Sequence, residues 1–324
     1  MRTQASILTI LFLGVVVARA QDALRLSVDV QLVTWDVYVD TAAGKPITNL
    51  TQDDFVVFED GSPREIRNFE SAQNPYNILL LFDRSSSTEE QWPFLTRAIV
   101  RFLEQMPPQH QVALAAFDDK PEMLFNWRSA NELKSLGFTI QTNNSGTDVY
   151  RALEWAAGEL RRVKGRKGVI AFTDGVDNRL SKKLVSFDRS GTPSVARMEA
   201  DSDFQKVLRT LAQSNAPVYF VAVNTDKNPD PSVPPNSFDL KQREAARLRM
   251  ETVANRSNGV LHLPKQIGDV ASLYERIGKE LGYSYSLTFA PGNPARDGSY
   301  HRIEIQLRDK SLRLTPSREG YYAR

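Results

Sequence analysis

The chain of 324 residues contains no cysteine and only three histidines. The absence of cysteine excludes disulfide bonds, thiolate metal sites, cysteine nucleophiles and a lipid anchor attached at cysteine. The histidines, His110, His262 and His301, are far apart and form no HExxH pair, so we expect no zinc centre of the metalloprotease type. None of them has an obvious catalytic partner in the sequence, and a GxSxG nucleophile elbow is absent.

The chain also lacks an excess of charge of either sign. It has 41 Lys and Arg against 39 Asp and Glu, and removal of Arg2 and Arg19 with the N-terminal segment leaves 39 of each sign. A chain with neither net charge nor a basic run is a poor match to a protein that binds nucleic acid or anionic membranes. We therefore expect no nucleic acid among its partners.

The first 20 residues have the features of a secretory signal peptide. They begin with a basic residue, continue with the apolar run ILTILFLGVVV and end with Ala18-Arg19-Ala20 before Gln21. The apolar run is shorter than the ~20 residues that span a bilayer. We expect residues 1–20 to be cleaved and the protein to be exported, periplasmic or extracellular, with no membrane span in the mature chain. The alternative is an uncleaved N-terminal anchor.

Hydrophobic periodicity divides the remaining chain into three parts. Residues 21–75 and 283–324 alternate between apolar and polar positions, as Tyr283, Tyr285, Leu287 and Phe289 do, which predicts β-strands. Neither end alone has enough strands for a stable unit, so we expect the two ends to pack together as one accessory β module, a small β sandwich. The middle, residues 76–282, is predicted to be a separate domain.

This middle part alternates between nearly continuous apolar strands and amphipathic helices. The strands are NILLLFD, QVALAAFD, GVIAFTD and PVYFVAV. Apolar residues on both faces are typical of strands covered by helices on both sides, so the fold class is α/β with a doubly wound, mostly parallel sheet. Two polar segments, 179–202 and 224–239, follow predicted strands and are expected to be loops over the carboxyl edge, where such sheets bind ligands.

Oxygen-bearing side chains are concentrated at the same predicted edge. The first strand ends in Asp83-Arg84-Ser85-Ser86-Ser87, another ends in Asp174, and Thr147 precedes a helix. Oxygen ligands suit a hard cation such as Mg²⁺, Mn²⁺ or Ca²⁺. Each piece alone has a simpler explanation, since Ser or Asp at the start of a helix is usually an N-cap and TDG is usually a turn. The three together, in this order, favour a metal site.

These segments resemble the metal-ion-dependent adhesion site (MIDAS) of von Willebrand factor A-type (VWA) domains. The resemblance covers about 76–282 and implies a VWA-type, Rossmann-like sheet, and the flanking segments ITNLTQDDFVVFEDGSPREIRNF and SREGYYA are similar to secreted bacterial "VWFA-related" proteins. It implies that Asp83, Ser85 and Ser87 contact the ion directly or through water. Thr147 would join in the ligand-bound form, and Asp174 would lie close by. Many members have Met where this chain has Thr88, a difference expected to affect packing and not the metal.

The resemblance implies a protein that is not an enzyme and binds a protein partner through an acidic side chain, with Mg²⁺ as the expected cation. One alternative is a structural or metal-independent interaction protein of the cell envelope. An enzyme that uses Asp83 as a phosphohydrolase nucleophile is less favoured, because such enzymes usually have a second acid at the position of Ser85. Four other acids near the same edge, Asp118, Asp119, Asp148 and Asp177, are interpreted as solvated loop residues, with an outer-shell role as the alternative.

Overall fold

The computed structural model describes residues 32–136, 146–178, 188, 191–223, 238–293, 297, 299–316 and 319–323, without the side chains of residues 87, 90, 238, 239 and 322. The predicted signal peptide, residues 179–187, 189 and 190 of segment 179–202, and residues 224–237 of segment 224–239 lie outside these residues. The strands of the described residues are β1 Val33–Asp40, β2 Phe55–Glu59, β3 Ser62–Arg64, β4 Ile66–Glu70, β5 Tyr76–Asp83, β6 Gln111–Phe117, β7 Pro121–Ser129, β8 Arg166–Thr173, β9 Val218–Ala222, β10 Leu261–His262, β11 Ser284–Phe289, β12 Tyr300–Leu307, β13 Arg313–Pro316 and β14 Gly320–Tyr322. The helices are α1 Trp92–Gln105, α2 Ala130–Leu136, α3 Val149–Arg161, α4 Val195–Ala200, α5 Ser202–Ser214, α6 Phe238–Ser257 and α7 Asp269–Gly282.

A six-stranded sheet in the order β10-β9-β8-β5-β6-β7 forms the centre of the fold, and only β7 runs antiparallel to its neighbour. Every residue of β5 is buried, which explains its unbroken apolar sequence. Helices α3 and α5 pack on one face of the sheet with part of α6, and α1 and α7 pack on the other. The predicted α/β fold with a mostly parallel sheet is confirmed.

The two ends of the chain form the accessory β module. Strand β1 pairs antiparallel with β11, in the four-stranded sheet β13-β1-β11-β4, and β2 pairs antiparallel with β12, in the sheet β14-β12-β2-β3. Their inner faces share one apolar core that includes Trp35, Val57, Tyr285 and Leu287. Strands from both ends are therefore needed for each sheet, as the sequence predicts. The exact domain boundaries at 75 and 282 stay a prediction.

Segment 179–202 contains a helix where the sequence predicts only a loop. Residues Val195–Ala200 form α4, with Met198 buried against the core. Glu199 accepts a hydrogen bond from Nε of Arg256 on α6 at 2.9 Å. A single buried residue in a six-residue helix leaves no periodic pattern, so this helix depends on contacts that the local sequence does not reveal.

The β module contacts the amino ends of the central strands. Arg166, the first residue of β8, donates to the carbonyl O of Ser284 at 2.8 Å, and its guanidinium stacks 4.5 Å from the ring centroid of Tyr76. On α7, Nζ of Lys279 donates to the carbonyl O of Gly44 at 2.6 Å. The contacts of Arg166 therefore lie at the amino ends of β5 and β8, at the opposite end of these strands from Asp83 and Asp174.

A buried histidine joins the start of β5 to the end of α7. Nδ1 of His110 accepts a hydrogen bond from the amide of Tyr76 at 2.9 Å, so Nε2 carries the proton and donates to the carbonyl O of Gly282 at 2.7 Å. Burial lowers the pKa of His110 below 6.5, and the charge of Arg166 lowers it further. Only the neutral ring can accept from Tyr76, because an imidazolium has two donors and no acceptor.

The first prediction concerns the pH dependence of stability at His110. A histidine whose folded pKa is depressed contributes stability above its unfolded pKa of about 6.5, and this contribution is lost as the pH falls through the folded pKa. Gln in its place keeps a donor and an acceptor but does not titrate. We expect wild type to exceed His110→Gln by about 1 kcal/mol in unfolding free energy at neutral pH. This difference in unfolding free energy, measured by urea denaturation, should become smaller as the pH is lowered to about 5. A difference in unfolding free energy that does not change with pH would contradict the stabilising role of the neutral His110 ring.

Candidate metal-ion site

Strands β5 and β8 are direct neighbours in the central sheet. They pair in parallel, with Leu81 opposite Ala171 and Phe82 opposite Phe172. The predicted adjacency of the DRSSS and FTDG strands is therefore confirmed. Because the two strands end at the same level, Asp83 at the end of β5 and Asp174 just after β8 leave the sheet side by side.

Asp83 is fully buried and held by hydrogen bonds from two neighbours, Ser85 and Thr173. Its Oδ1 accepts from the amide of Ser85 at 3.0 Å, and its Oδ2 accepts from Oγ1 of Thr173 at 2.6 Å; the Ser85 side chain also hydrogen-bonds the carboxyl group. Burial, and next the nearby carboxylate of Asp174, raise the pKa of Asp83 well above 3.8. The fold thus forces a carboxylate into a dry position beside a second one.

Asp174 is held by the turn that follows it. Its Oδ1 accepts from the amide of Val176 at 2.9 Å, and the residue is 5% exposed. Gly175 has φ +73°, and a Cβ there would lie 2.6 Å from Cε of Met250. Both the backbone conformation and the close approach of α6 require glycine in the TDG turn.

Thr88 and Thr173 hold the DRSSS loop and the TDG turn in place. Neither residue is predicted from the sequence to have a role at the site. The buried Oγ1 of Thr88 lies 2.8 Å from the carbonyl O of Asp83 and 3.0 Å from that of Ser85, so it pins the start of the 3-10 helix Ser86–Gln91 beneath the site. Thr173 donates to Asp83 while its Oγ1 accepts from the amide of Gly175 at 2.9 Å. The hydroxyl residue at the end of β8, directly after the apolar run at residues 169–172 and before Asp174, is the signal that could have found Thr173.

Thr147 lies on the third loop, one residue before the N-cap of α3. It is 6% exposed, and its carbonyl O accepts from the amide of Asn178, just beyond the TDG turn, at 2.9 Å. Asp148 accepts from the amide of Arg151 and so caps α3, while its own amide donates to the carbonyl O of Asp118 at 3.0 Å. The segments that carry Thr147 and Asp174 are therefore tied together. Ser85 is buried, and the side chain of Ser87 lies outside the described residues.

Two of the acids interpreted as solvated are buried. Oδ2 of Asp118 accepts from Nε of Arg84 at 3.0 Å, and Asp177 is fully buried and accepts from the amide of Tyr150 at 3.3 Å. The solvated interpretation is wrong for both, because each satisfies donors on another loop. It holds for Asp119, which is exposed, whereas Asp148 is a partly buried N-cap.

The histidines do not gather at this site. His262 lies in edge strand β10, where burial and the charge of Arg276 lower its pKa to about 4. His301 does have partners, contrary to expectation: Nδ1 is 2.7 Å from Oδ2 of Asp60, and Nε2 is 2.9 Å from Oγ of Ser299. Oγ of Ser299 also donates to Oδ1 of Asp297 at 2.5 Å. This chain of bonds fastens β12 to the turn after β2.

The donor set fits a hard divalent cation. The predicted donors are oxygens only: two carboxylates, Asp83 and Asp174, and hydroxyl groups on the loop after β5 and on the loop before α3. A cation between the two carboxylates would remove the repulsion that raises the pKa of Asp83. Within the described part of the chain, no group of three His, Cys, Asp or Glu side chains could hold a metal ion. A site here must therefore take ligands from hydroxyls as well as from its two acids.

Residues 78–176 match the family model described as "von Willebrand factor type A domain". The match spans β5 to the TDG turn and so includes all three ligand loops. This part of the central domain is therefore similar to VWA domains. Domains of this family are typically interaction modules, and they often bind a protein partner through a divalent cation. No curated protein matches the chain.

Solved structures of VWA proteins are similar to this chain at low identity. A von Willebrand factor type A protein from Catenulispora acidiphila is 12% identical, with 83% of this chain and 72% of that chain covered and a TM-score of 0.48. The ArnB paralog VWA2 from Sulfolobus acidocaldarius is 11% identical over 90% and 75%, with a TM-score of 0.45. Proximal thread matrix protein 1 from the mussel byssus, with a zinc-occupied MIDAS motif, is 16% identical. The match covers 68% of this chain and 48% of that chain, with a TM-score of 0.45. These values carry no conclusion about ligands.

The second prediction concerns the repulsion at Asp83. A carboxyl group whose folded pKa is raised destabilises the metal-free protein above that pKa, and the effect disappears below the unfolded pKa of 3.8. In EDTA at about pH 8, Asp83→Asn should therefore unfold with a free energy at least about 1 kcal/mol higher than wild type. The difference should shrink at about pH 5. A variant less stable than wild type at both pH values would show that the carboxylate supports the metal-free fold.

Proposed function

We propose that this chain is an exported, metal-dependent protein-binding protein whose VWA domain holds a divalent cation, Mg²⁺, at the carboxyl edge. The ligands are Asp83, Ser85, Ser87, Thr147 and Asp174. The observation that supports the proposal is that Asp83 and Asp174 are both buried and close enough for the charge of Asp174 to add to the effect of burial on the pKa of Asp83, with Ser85 hydrogen-bonded to Asp83. Such an arrangement is unfavourable without a cation and favourable with one.

The charge balance of the site favours an acidic partner. With two carboxylates as the charged ligands, a bound divalent cation keeps electrostatic affinity for one more carboxylate and supplies a coordination position for it. The residues of the chain orient this position. Thr173 and Ser85 fix the rotamer of Asp83, and the bond between Thr147 and Asn178 holds the third loop in place. A protein ligand with an exposed Asp or Glu side chain fits these requirements.

The surroundings of the site are compatible with a protein partner. The β module docks at the amino ends of the strands, away from the site. Segments 179–202 and 224–239 follow β8 and β9 and therefore begin at the carboxyl edge. We propose that these segments select the partner without contributing metal ligands.

Location and the alternatives follow from the same residues. Among the described residues, no helix is both long and apolar enough to cross a membrane. The leader predicted at residues 1–20 supports export to the periplasm or the outside. A structural or metal-independent envelope protein remains the alternative. We do not propose an enzyme, since Asp83 already accepts two hydrogen bonds and the residue two positions on is Ser85.

The third prediction tests metal-dependent capture. Asp83→Ala should abolish Mg²⁺ or Mn²⁺ binding in calorimetry and should abolish partner capture from envelope and culture fractions, while the melting transition is retained. The charged ligands provide most of the attraction for the ion, so the loss of one of two is decisive. EDTA should have the same effect on wild type. The matched control is Asp53→Ala, which removes an exposed acid in the 3-10 helix before β2. If the Asp83→Ala protein still captures the partner in EDTA, metal-dependent binding is contradicted and the structural alternative is favoured.

A further inference from the structure

The residue after Asp83 is a cation that the fold immobilises beside the site. The side chain of Arg84 is 13% exposed, and its guanidinium forms two ion pairs. Nε lies 3.0 Å from Oδ2 of Asp118, whose side chain is 9% exposed, and Nη1 lies 2.9 Å from Oε2 of Glu122. The first pair is buried and the second is open to solvent, so Asp118 is the stronger restraint.

Asp118 also joins the loops around the site. Its Oδ1 accepts from the amide of Lys120 at 3.0 Å, which closes the turn between β6 and β7. Its carbonyl O accepts from the amide of Asp148, the residue after Thr147. The guanidinium of Arg84 is therefore held near the loops that carry two of the proposed ligands, Asp83 and Thr147. Its Nε is paired with the Asp118 carboxylate.

We propose that Asp118 is a positioning residue that holds Arg84 away from the metal carboxylates, and that Arg84, when released, competes with the divalent cation. This inference rests on the proposed metal site. The physical reason is that Asp83 and Asp174 repel each other when no metal is bound. Any nearby positive charge lowers that repulsion, and a guanidinium attached to the residue next to Asp83 has a high effective concentration.

A released Arg84 would act as an internal counter-ion that the metal must displace. The Asp118 carboxylate prevents this by satisfying the guanidinium elsewhere. The two side chains therefore have opposite effects on the site. Loss of Asp118 weakens cation binding, and loss of Arg84 removes the competitor and makes Asp118 dispensable.

The test is the Mn²⁺ dissociation constant of the full chain, measured by calorimetry for wild type, Asp118→Asn, Arg84→Gln and the double variant. Asp118→Asn should bind Mn²⁺ about 10-fold more weakly than wild type, within the range that outer-shell changes produce. Arg84→Gln should bind at least as tightly as wild type. The dissociation constant of the double variant should return to within about twofold of that of Arg84→Gln, because no competing guanidinium is left for Asp118 to restrain. Glu122→Gln is the matched control and should stay within about twofold of wild type, because its ion pair is screened by solvent.

The recovery in the double variant separates this mechanism from a purely structural role of Asp118. If Asp118 only closed the loops, the double variant would bind as weakly as Asp118→Asn, and the proposal would be wrong. Melting in EDTA reports whether each variant folds. If Arg84→Gln folds but binds Mn²⁺ clearly more weakly than wild type, the proposal is also wrong. This outcome can be measured even if Asp118→Asn does not fold. Failure of wild type to bind Mn²⁺ would instead remove the proposed function itself.

Discussion

The parallel pairing of β5 with β8 is the constraint on which the rest of the site depends. It brings Asp83 and Asp174 to the same sheet edge, where both are buried and the charge of one raises the pKa of the other. The apolar core beneath these strands stabilises the fold enough to tolerate this repulsion. If a cation binds there as proposed, stability that is given up at this edge of the sheet becomes affinity for the ion, which is how functional sites commonly depart from optimal packing.

Neutral groups complete the site and control its net charge. Hydroxyls of Thr88 and Thr173 and the amide of Ser85 hold the DRSSS loop, and the remaining acids are engaged by other donors. Asp118 pairs with Arg84, and Asp177 binds the amide of Tyr150. Among the described residues, the proposed site therefore has two carboxylates for a divalent ion, Asp83 and Asp174, and a bound ion would keep charge for an acidic partner. The β module is connected through Arg166 at the amino end of β8, away from Asp83 and Asp174.

The fold was predictable because its signals are local. Unbroken apolar strands, alternating terminal strands and the order of the DRSSS, SGT and FTDG segments suffice for the α/β fold, for the accessory β module and for the adjacency of the two ligand strands. The features that the sequence did not reveal depend on contacts between distant segments. Helix α4 is stabilised by Arg256, Asp118 is buried by Arg84, and His301 is paired with Asp60. No periodicity encodes such pairs, so an exposed loop acid and a buried one look alike in the sequence.

The central claim is that a divalent cation binds between the DRSSS, Thr147 and TDG loops. The most direct measurement is a crystal structure of the protein soaked in Mn²⁺, with anomalous diffraction to locate the ion. The account predicts one anomalous peak within about 2.0–2.6 Å of an Asp83 or Ser85 side-chain oxygen, near the Asp174 carboxylate, and at the carboxyl edge of β5 and β8. A peak elsewhere on the chain, or no peak while that edge is accessible to solvent in the crystal, would contradict it.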